Sequence, residues 1–136
     1  MGKKRSILLV DDNPVVLKSL GKGLSNHGFT LYTATDIASS LEIINANDHI
    51  DFLINDYDLL GENGLKVAKA FSEKYHGKCA IAVFTSHTDL MVRKEVTDYL
   101  LANPIKTGFR LIFKPVDRNV ILEWLSDAGI ELERRL

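Results

Sequence analysis

Cysteine is nearly absent from this chain of 136 residues, with Cys79 its one example. An internal disulfide is therefore excluded. Cys79, placed just before an apolar run, reads as a small packing residue rather than a redox centre. Net charge is equally scarce, with 17 Lys and Arg set against 18 Asp and Glu for a formal charge of −1. Such a balance offers no field to draw in nucleic acid or an acidic membrane surface. No apolar run is long enough to cross a bilayer, and no signal peptide is expected at the start. Internal repeats, low-complexity tracts and linkers are missing too. The opening Met1-Gly2-Lys3-Lys4-Arg5-Ser6 fits the short myristoylation pattern, yet reads more simply as a charged, frayed lead-in to a first strand.

What is present is ordinary globular material: 46% hydrophobic and 26% charged residues, enough for one domain with a real core. The expectation is a single domain over 1–136, with its core at about 6–128 and a short tail at 129–136, where Glu131 to Leu136 reads as a helix extension or a frayed end. Strands and amphipathic helices alternate along it. Ile7 to Val10 is an all-apolar run that ends abruptly at Asp11-Asp12. Asn13-Pro14 then opens a helix, Asn as its cap and Pro at the first helical position, and Gly28 stops it. Phe29 to Thr35 is a mixed polar and apolar strand suited to a sheet edge. Asp36 caps a second helix bearing Ile37, Leu41 and Ile44. Phe52 to Asn55 is the third strand, leading to Asp56, and residues 61–64 form a loop. Val67, Ala68, Phe71 and Tyr75 stripe a third helix, and Ala80 to Thr85 is the fourth strand. Thr88 or Asp89 opens a fourth helix, Leu111 to Phe113 is the fifth strand, and Asp117 caps a last helix carrying Trp124.

Strict alternation of this kind predicts an α/β fold with a parallel sheet and helices on both faces. Ligands in such folds sit beyond the carboxyl ends of the strands, where the strand order reverses. Asp11, Asp12, Asp56, Thr85 and Lys114 all fall at such ends. Adjacent acids repel unless a cation joins them. Asp12, Asp56 and a nearby backbone carbonyl could supply hard oxygen ligands to Mg²⁺, which takes few protein ligands and keeps several waters. A carboxylate held beside such an ion and a lysine can attack a phosphoryl group, giving an aspartyl phosphate.

Asp11-Asp12, Asp56, Thr85-Ser86 and Phe113-Lys114-Pro115, in this order at strand ends along the chain, resemble the receiver domain of two-component response regulators. The resemblance spans roughly Ser6 to Ala128. It implies a flavodoxin-like, doubly wound sheet of five parallel strands in the order 2-1-3-4-5. It makes Asp56 the phosphoacceptor and Asp12 a direct Mg²⁺ ligand. Asp11 would hold the ion through water, and the Asp58 backbone carbonyl would be the third protein ligand. Thr85 would be the switch hydroxyl, Lys114 the phosphoryl contact and Gly64 the glycine that opens helix three. Asp58 and His87 occupy the variable positions that tune phosphoryl lifetime, and a histidine there titrates near neutral pH.

Implied partners are a sensor histidine kinase or histidine phosphotransfer protein, and a downstream protein met through the face of helix 4, strand 5 and helix 5. The resemblance implies a cytoplasmic signalling module rather than an enzyme with turnover, with no contact to nucleic acid or membrane. A homodimer stays open. Leu60 stands where the family commonly has proline, which predicts a less constrained loop. Leu111 replaces the usual switch aromatic, and the stretch around Leu100 to Gly108 is longer than the family norm.

Two rival readings stay open at this level. Asp56-Tyr57-Asp58 also resembles the first motif of haloacid dehalogenase phosphohydrolases, which would make Asp58 catalytic, although the order of the acids is reversed. A receiver that binds a partner without phosphorylation is the other.

Overall fold

The computed structural model describes residues 4–76, 78–86, 90–102, 108–114 and 117–134. Five strands form the main sheet: β1 (Ser6–Val10), β2 (Thr30–Ala34), β3 (Phe52–Asp56), β6 (Ala80–Thr85) and β7 (Gly108–Phe113). Between β3 and β6 lie two very short strands, β4 (Asp58–Leu59) and β5 (Glu62–Asn63). The helices are α1 (Pro14–Asn26), α2 (Ile37–Ala46), α3 (Leu65–Tyr75), α4 (Leu90–Ala102) and α5 (Arg118–Arg134). The sheet order is β2-β1-β3-β6-β7 and every pairing in it is parallel. This is the expected 2-1-3-4-5 order, counted over the five main strands.

Alternation along each central strand explains the two helical layers. In β1, Leu8 and Val10 enter the core under α2, α3 and α4, while Ile7 and Leu9 enter the core under α1 and α5. β3 and β6 divide the same way, with Leu53, Ile81 and Val83 on one face and Ile54, Ala82 and Phe84 on the other. Both faces are buried, so these strands read as continuous apolar runs rather than alternating ones. Phe52 is fully buried and meets Phe29 and Trp124 edge-on, at ring centroid distances of 6.2 and 5.8 Å. Burying an aromatic of this size contributes about 2–3 kcal/mol.

Local chemistry sets the helix starts. The Asn13 side chain accepts from the Val15 N–H at 2.9 Å, with Pro14 opening α1. The Asp36 carboxylate accepts from the Ser39 N–H at 2.7 Å at the start of α2. The proposed caps Thr88 and Asp89 lie outside the described residues.

Two local expectations change. The loop at 61–64 is one arm of a ribbon: β4 and β5 pair antiparallel, Asp58 opposite Asn63 and Leu59 opposite Glu62. The fifth main strand begins at Gly108, three positions before Leu111, because it extends along β6 to pair Gly108 with Ala80. Of the two readings of the tail, the helix extension is the one seen: α5 continues beyond Ala128 to Arg134, with Leu132 buried against the α1 and α5 core.

Candidate functional site

The acidic end of the sheet is built by strands that stop together. β1 delivers Asp11, which is buried, and β3 delivers Asp56, which is also buried. Thr85 ends β6 with no exposed surface, and the Lys114 N–H donates to the Thr85 carbonyl at 2.8 Å. Lys114 Nζ reaches Asp56 Oδ2 at 3.0 Å and Asp11 Oδ2 at 3.6 Å. The first is a charge-assisted hydrogen bond; the second is an ion-pair distance, too long for one. Carboxylate oxygens of Asp11, Asp12 and Asp56 lie within 4.8 Å of one another.

Burial pushes the Asp56 carboxyl above the ordinary aspartate value, and the neighbouring Asp11 charge adds to this. The Lys114 hydrogen bond and charge pull the other way without cancelling it. Burial pulls Lys114 down, but its bonds and attraction to Asp56 and Asp11 outweigh burial and leave it raised. One lysine thus shares two buried acids and cannot satisfy both. Asp11 Oδ1 accepts from the Asn13 N–H at 2.9 Å, whereas Asp11 Oδ2 is buried with no hydrogen-bond partner. A buried, unpartnered carboxylate oxygen in a cluster of acids is the donor set that a hard divalent cation takes.

Residues 7–126 match the response regulator receiver domain. The chain belongs to that family. It is 31% identical to the photosynthetic apparatus regulatory protein RegA of Cereibacter sphaeroides, over 97% of this chain and 67% of that protein. It is 28% identical to the transcriptional regulatory protein GlrR of Escherichia coli (strain K12), over 93% of this chain. There it spans only 26% of the relative's length. A receiver domain protein of Methanospirillum hungatei JF-1 shares the fold with a TM-score of 0.83 at 21% identity, covering 98% of this chain and 100% of that one. The protein is a receiver domain of two-component signalling, a family that binds Mg²⁺ at an acidic pocket and meets histidine kinases or phosphotransfer proteins. The phosphohydrolase reading is not supported by these matches.

The receiver's expected site residues separate into those gathered at one point and those that are not. Asp11, Asp12, Asp56 and Lys114 converge, with Thr85 at the neighbouring strand end. The Asp58 side chain is exposed, and its N–H donates to Asp56 Oδ1 at 3.3 Å. His87 lies outside the described residues, as does Pro115. Among the described residues no helix is long and apolar enough to cross a membrane.

The segment after Asp56 differs from expectation. Leu60 and Gly61 join β4 to β5 with positive φ at both, 51° and 82°. This is the backbone of a two-residue type I′ turn, whose twist matches that of the paired strands. Proline, locked near −65°, cannot occupy the Leu60 position at all. The loop is therefore constrained by pairing instead of by proline. The Leu60 N–H also donates to Asp12 Oδ2 at 3.2 Å, tying the turn to the acidic cluster.

Asn55 and Gly64 matter more here than the sequence reading gave them credit for. Asn55 is fully buried, and its amide donates to the Gly64 carbonyl at 2.8 Å and the Asp56 carbonyl at 3.3 Å. A Cβ on Gly64 would overlap the Asp56 carbonyl oxygen. Glycine is needed there for close approach, since its φ of −64° is ordinary. A polar residue inside an otherwise apolar strand, next to the acceptor, was the available signal for Asn55.

Proposed function

We propose that this receiver accepts a phosphoryl group on Asp56 from the phosphohistidine of a sensor histidine kinase or histidine phosphotransfer protein. The carrying observation is a buried Asp56 carboxylate held 3.0 Å from Lys114 Nζ and clustered with Asp11 and Asp12. An Asp56 oxygen attacks phosphorus, a P–O bond forms, the P–N bond of the donor breaks, and the leaving imidazole takes up a proton. Lys114 neutralises charge on the phosphoryl oxygens, as a fixed cation does in a site from which water is partly excluded. Its long contact to Asp11 keeps it aimed at the cluster. Thr85, buried at the end of β6, supplies a hydroxyl to the phosphoryl group.

Asp11, Asp12, Asp56 and the Asp58 carbonyl would hold Mg²⁺, which when bound offsets the repulsion among the acids and polarises the phosphoryl oxygens. Asp58 and His87 tune the phosphoryl lifetime in this reading. Water in the same site hydrolyses the aspartyl phosphate and resets the protein. The module has no other turnover, works in the cytoplasm, and spans 1–136 as one unit. The burial of Leu132 supports its last helix as part of that unit. Its output passes to a protein partner through the face of α4, β7 and α5.

Incubation with acetyl phosphate, with and without Mg²⁺, tests the proposal by intact mass. One added phosphoryl group, dependent on Mg²⁺ and lost in Asp56→Asn, is expected. Stoichiometric labelling of Asp56→Asn contradicts the assignment. No adduct and no phosphate release would favour a binding module that works without phosphorylation.

A further inference from the structure

α1 and α5 flank a groove that meets the acidic cluster at Lys114. It holds about 880 Å³, within the usual range of small-molecule sites. Ile121 of α5 and Phe84 of β6, both buried, and the half-buried Val16 and Leu20 of α1 give it apolar walls. Val15, which also lines it, is 72% exposed. The charged lining is of one sign: Lys114 and Arg118, with no acid among the described lining residues.

The two cations differ. Lys114 is engaged with Asp56 and Asp11. The exposed Arg118 side chain has no ion pair or hydrogen bond among the described residues. Asp117, beside it in the chain, uses its carboxylate to accept from the Asn119 N–H at 2.8 Å. Arg118 is laid across α1 at Gly23, where a Cβ would come within 2.9 Å of Arg118 Cδ and 3.1 Å of its Nη1. Glycine inside a helix is normally unfavourable relative to alanine. Here Gly23 is buried, and its missing side chain makes room for the Arg118 stem and guanidinium beside the apolar walls.

We infer that this groove binds a small amphiphilic anion, a carboxylate on a short apolar tail, and that the bound ligand slows phosphorylation of Asp56. Arg118 takes the head, since a guanidinium holds a carboxylate through two parallel hydrogen bonds. The tail lies along Val16 and Leu20. These are four residues apart on α1, about 6 Å at 1.5 Å per residue, which suits a tail of about five carbons. A lining with two cations and no described acid favours an anion over a neutral or cationic ligand. A ligand seated there abuts Lys114 and Ser86, which line the same groove, and so obstructs a phosphodonor approaching Asp56. This inhibitory half rests on Asp56 being the acceptor; the binding half does not.

Titration of the full chain with hexanoate, read by methyl NMR, tests the site. Saturable shifts at Val16, Leu20 and Ile121 are expected, with half-saturation in the millimolar range, as suits a ligand of this size. 1-Hexanol carries the tail without the charge, and acetate the charge without the tail; both should bind more weakly. Arg118→Met keeps the stem and deletes the charge, and should weaken hexanoate about tenfold, as loss of a charged hydrogen bond implies. Gly23→Ala, whose Cβ pushes Arg118 aside, should weaken it too. Shifts that never saturate, or equal binding of hexanoate and 1-hexanol, overturn the site. Binding unchanged in both variants overturns the role of Arg118. An acidic amphipathic helical peptide that shifts the same methyls at lower concentration than hexanoate assigns the groove to a protein partner, and shifts on raising the protein concentration alone assign it to a second copy; either overturns the small-ligand reading. Hexanoate near saturation should slow uptake from acetyl phosphate, followed by intact mass, in the wild type and much less in Arg118→Met. Equal uptake with and without hexanoate overturns the inhibition. No uptake by the wild type without hexanoate overturns the acceptor reading and the inhibitory half with it, while the titration still decides the site.

Discussion

Helices α3 and α4 lie over the same face of the sheet, and their described side chains combine apolar packing and hydrogen bonds in different proportions. α3 has 11 residues and buries Leu65, Val67, Ala68, Phe71 and Tyr75. α4 has 13 residues; of those whose side chains are described, Val96 is buried and Tyr99 and Leu100 pack part-buried against the same core. Apolar packing is non-directional and is lost only as a whole, so α3 and the strand ends behind it form a fixed frame. The described part of α4 adds directional ties, the Tyr99 hydroxyl donating to the Leu65 carbonyl at 2.9 Å and the Arg93 guanidinium lying 4.7 Å from the Phe113 ring centre, and such ties exchange one at a time at small net cost. Asp56 lies next to Gly64, the residue before α3.

Truncation gives the sharpest break in this comparison. Phe71→Ala on α3 should destabilise the protein by about 3–5 kcal/mol in urea unfolding, and Val96→Ala on α4 by only about 1 kcal/mol. Equal losses would mean that α4 is as firmly packed as α3. Gly64→Ala comes next. Its methyl group must displace the Asp56 backbone, with an expected loss of about 2–3 kcal/mol and slowed phosphorylation from acetyl phosphate. Wild-type stability in that variant would show that the approach of α3 to Asp56 is looser than described.

Leu60→Pro should cost about 1–2 kcal/mol, because proline cannot reach a φ of 51° and its missing N–H also frees Asp12. Leu60→Asn, which tolerates the left-handed region, should instead gain roughly 0.5 kcal/mol. A stabilising proline would restore the reading of an unpaired loop.

Asp56→Asn reverses the usual sign. Burial raises the Asp56 pKa in the folded protein. Below the ordinary carboxylate value of about 4 both folded and unfolded forms are protonated, and no penalty exists. As pH rises through the raised folded value, the ionised group disfavours the native state. Without added metal, Asp56→Asn should therefore be more stable than wild type at pH 7 and indistinguishable from it in this respect near pH 3. Lower stability at pH 7 would show that the Lys114 bond outweighs burial.

Much of this arrangement was legible in the residues. The apolar runs ending at Asp11 and Asp56 gave the parallel sheet, because strands buried on both faces have no polar alternation to obscure them. The convergence of Asp11, Asp12, Asp56 and Lys114 followed from their strand-end positions. The short ribbon was not legible. Leu60 carries no preference for positive φ, so a turn built on it gives no sequence signal, and proline's absence looked like lost constraint. Neither was the bond from the Leu60 N–H to Asp12, since a hydrogen bond between residues distant in sequence leaves no periodicity. Asn55 gave a visible cue as a polar residue in an apolar strand, but its task of tying Asp56 to Gly64 depends on how closely α3 approaches.

Reduction of the acetyl phosphate-treated protein with borohydride, followed by peptide mapping, tests the central claim most directly. An aspartyl phosphate is reduced to homoserine, so the acceptor is read by position among Asp11, Asp12, Asp56 and Asp58. Homoserine at position 56 alone, dependent on Mg²⁺, is the expected result. Homoserine at any of the other positions, or none at 56 under conditions that label the intact chain, would contradict the assignment of Asp56 as the phosphoacceptor.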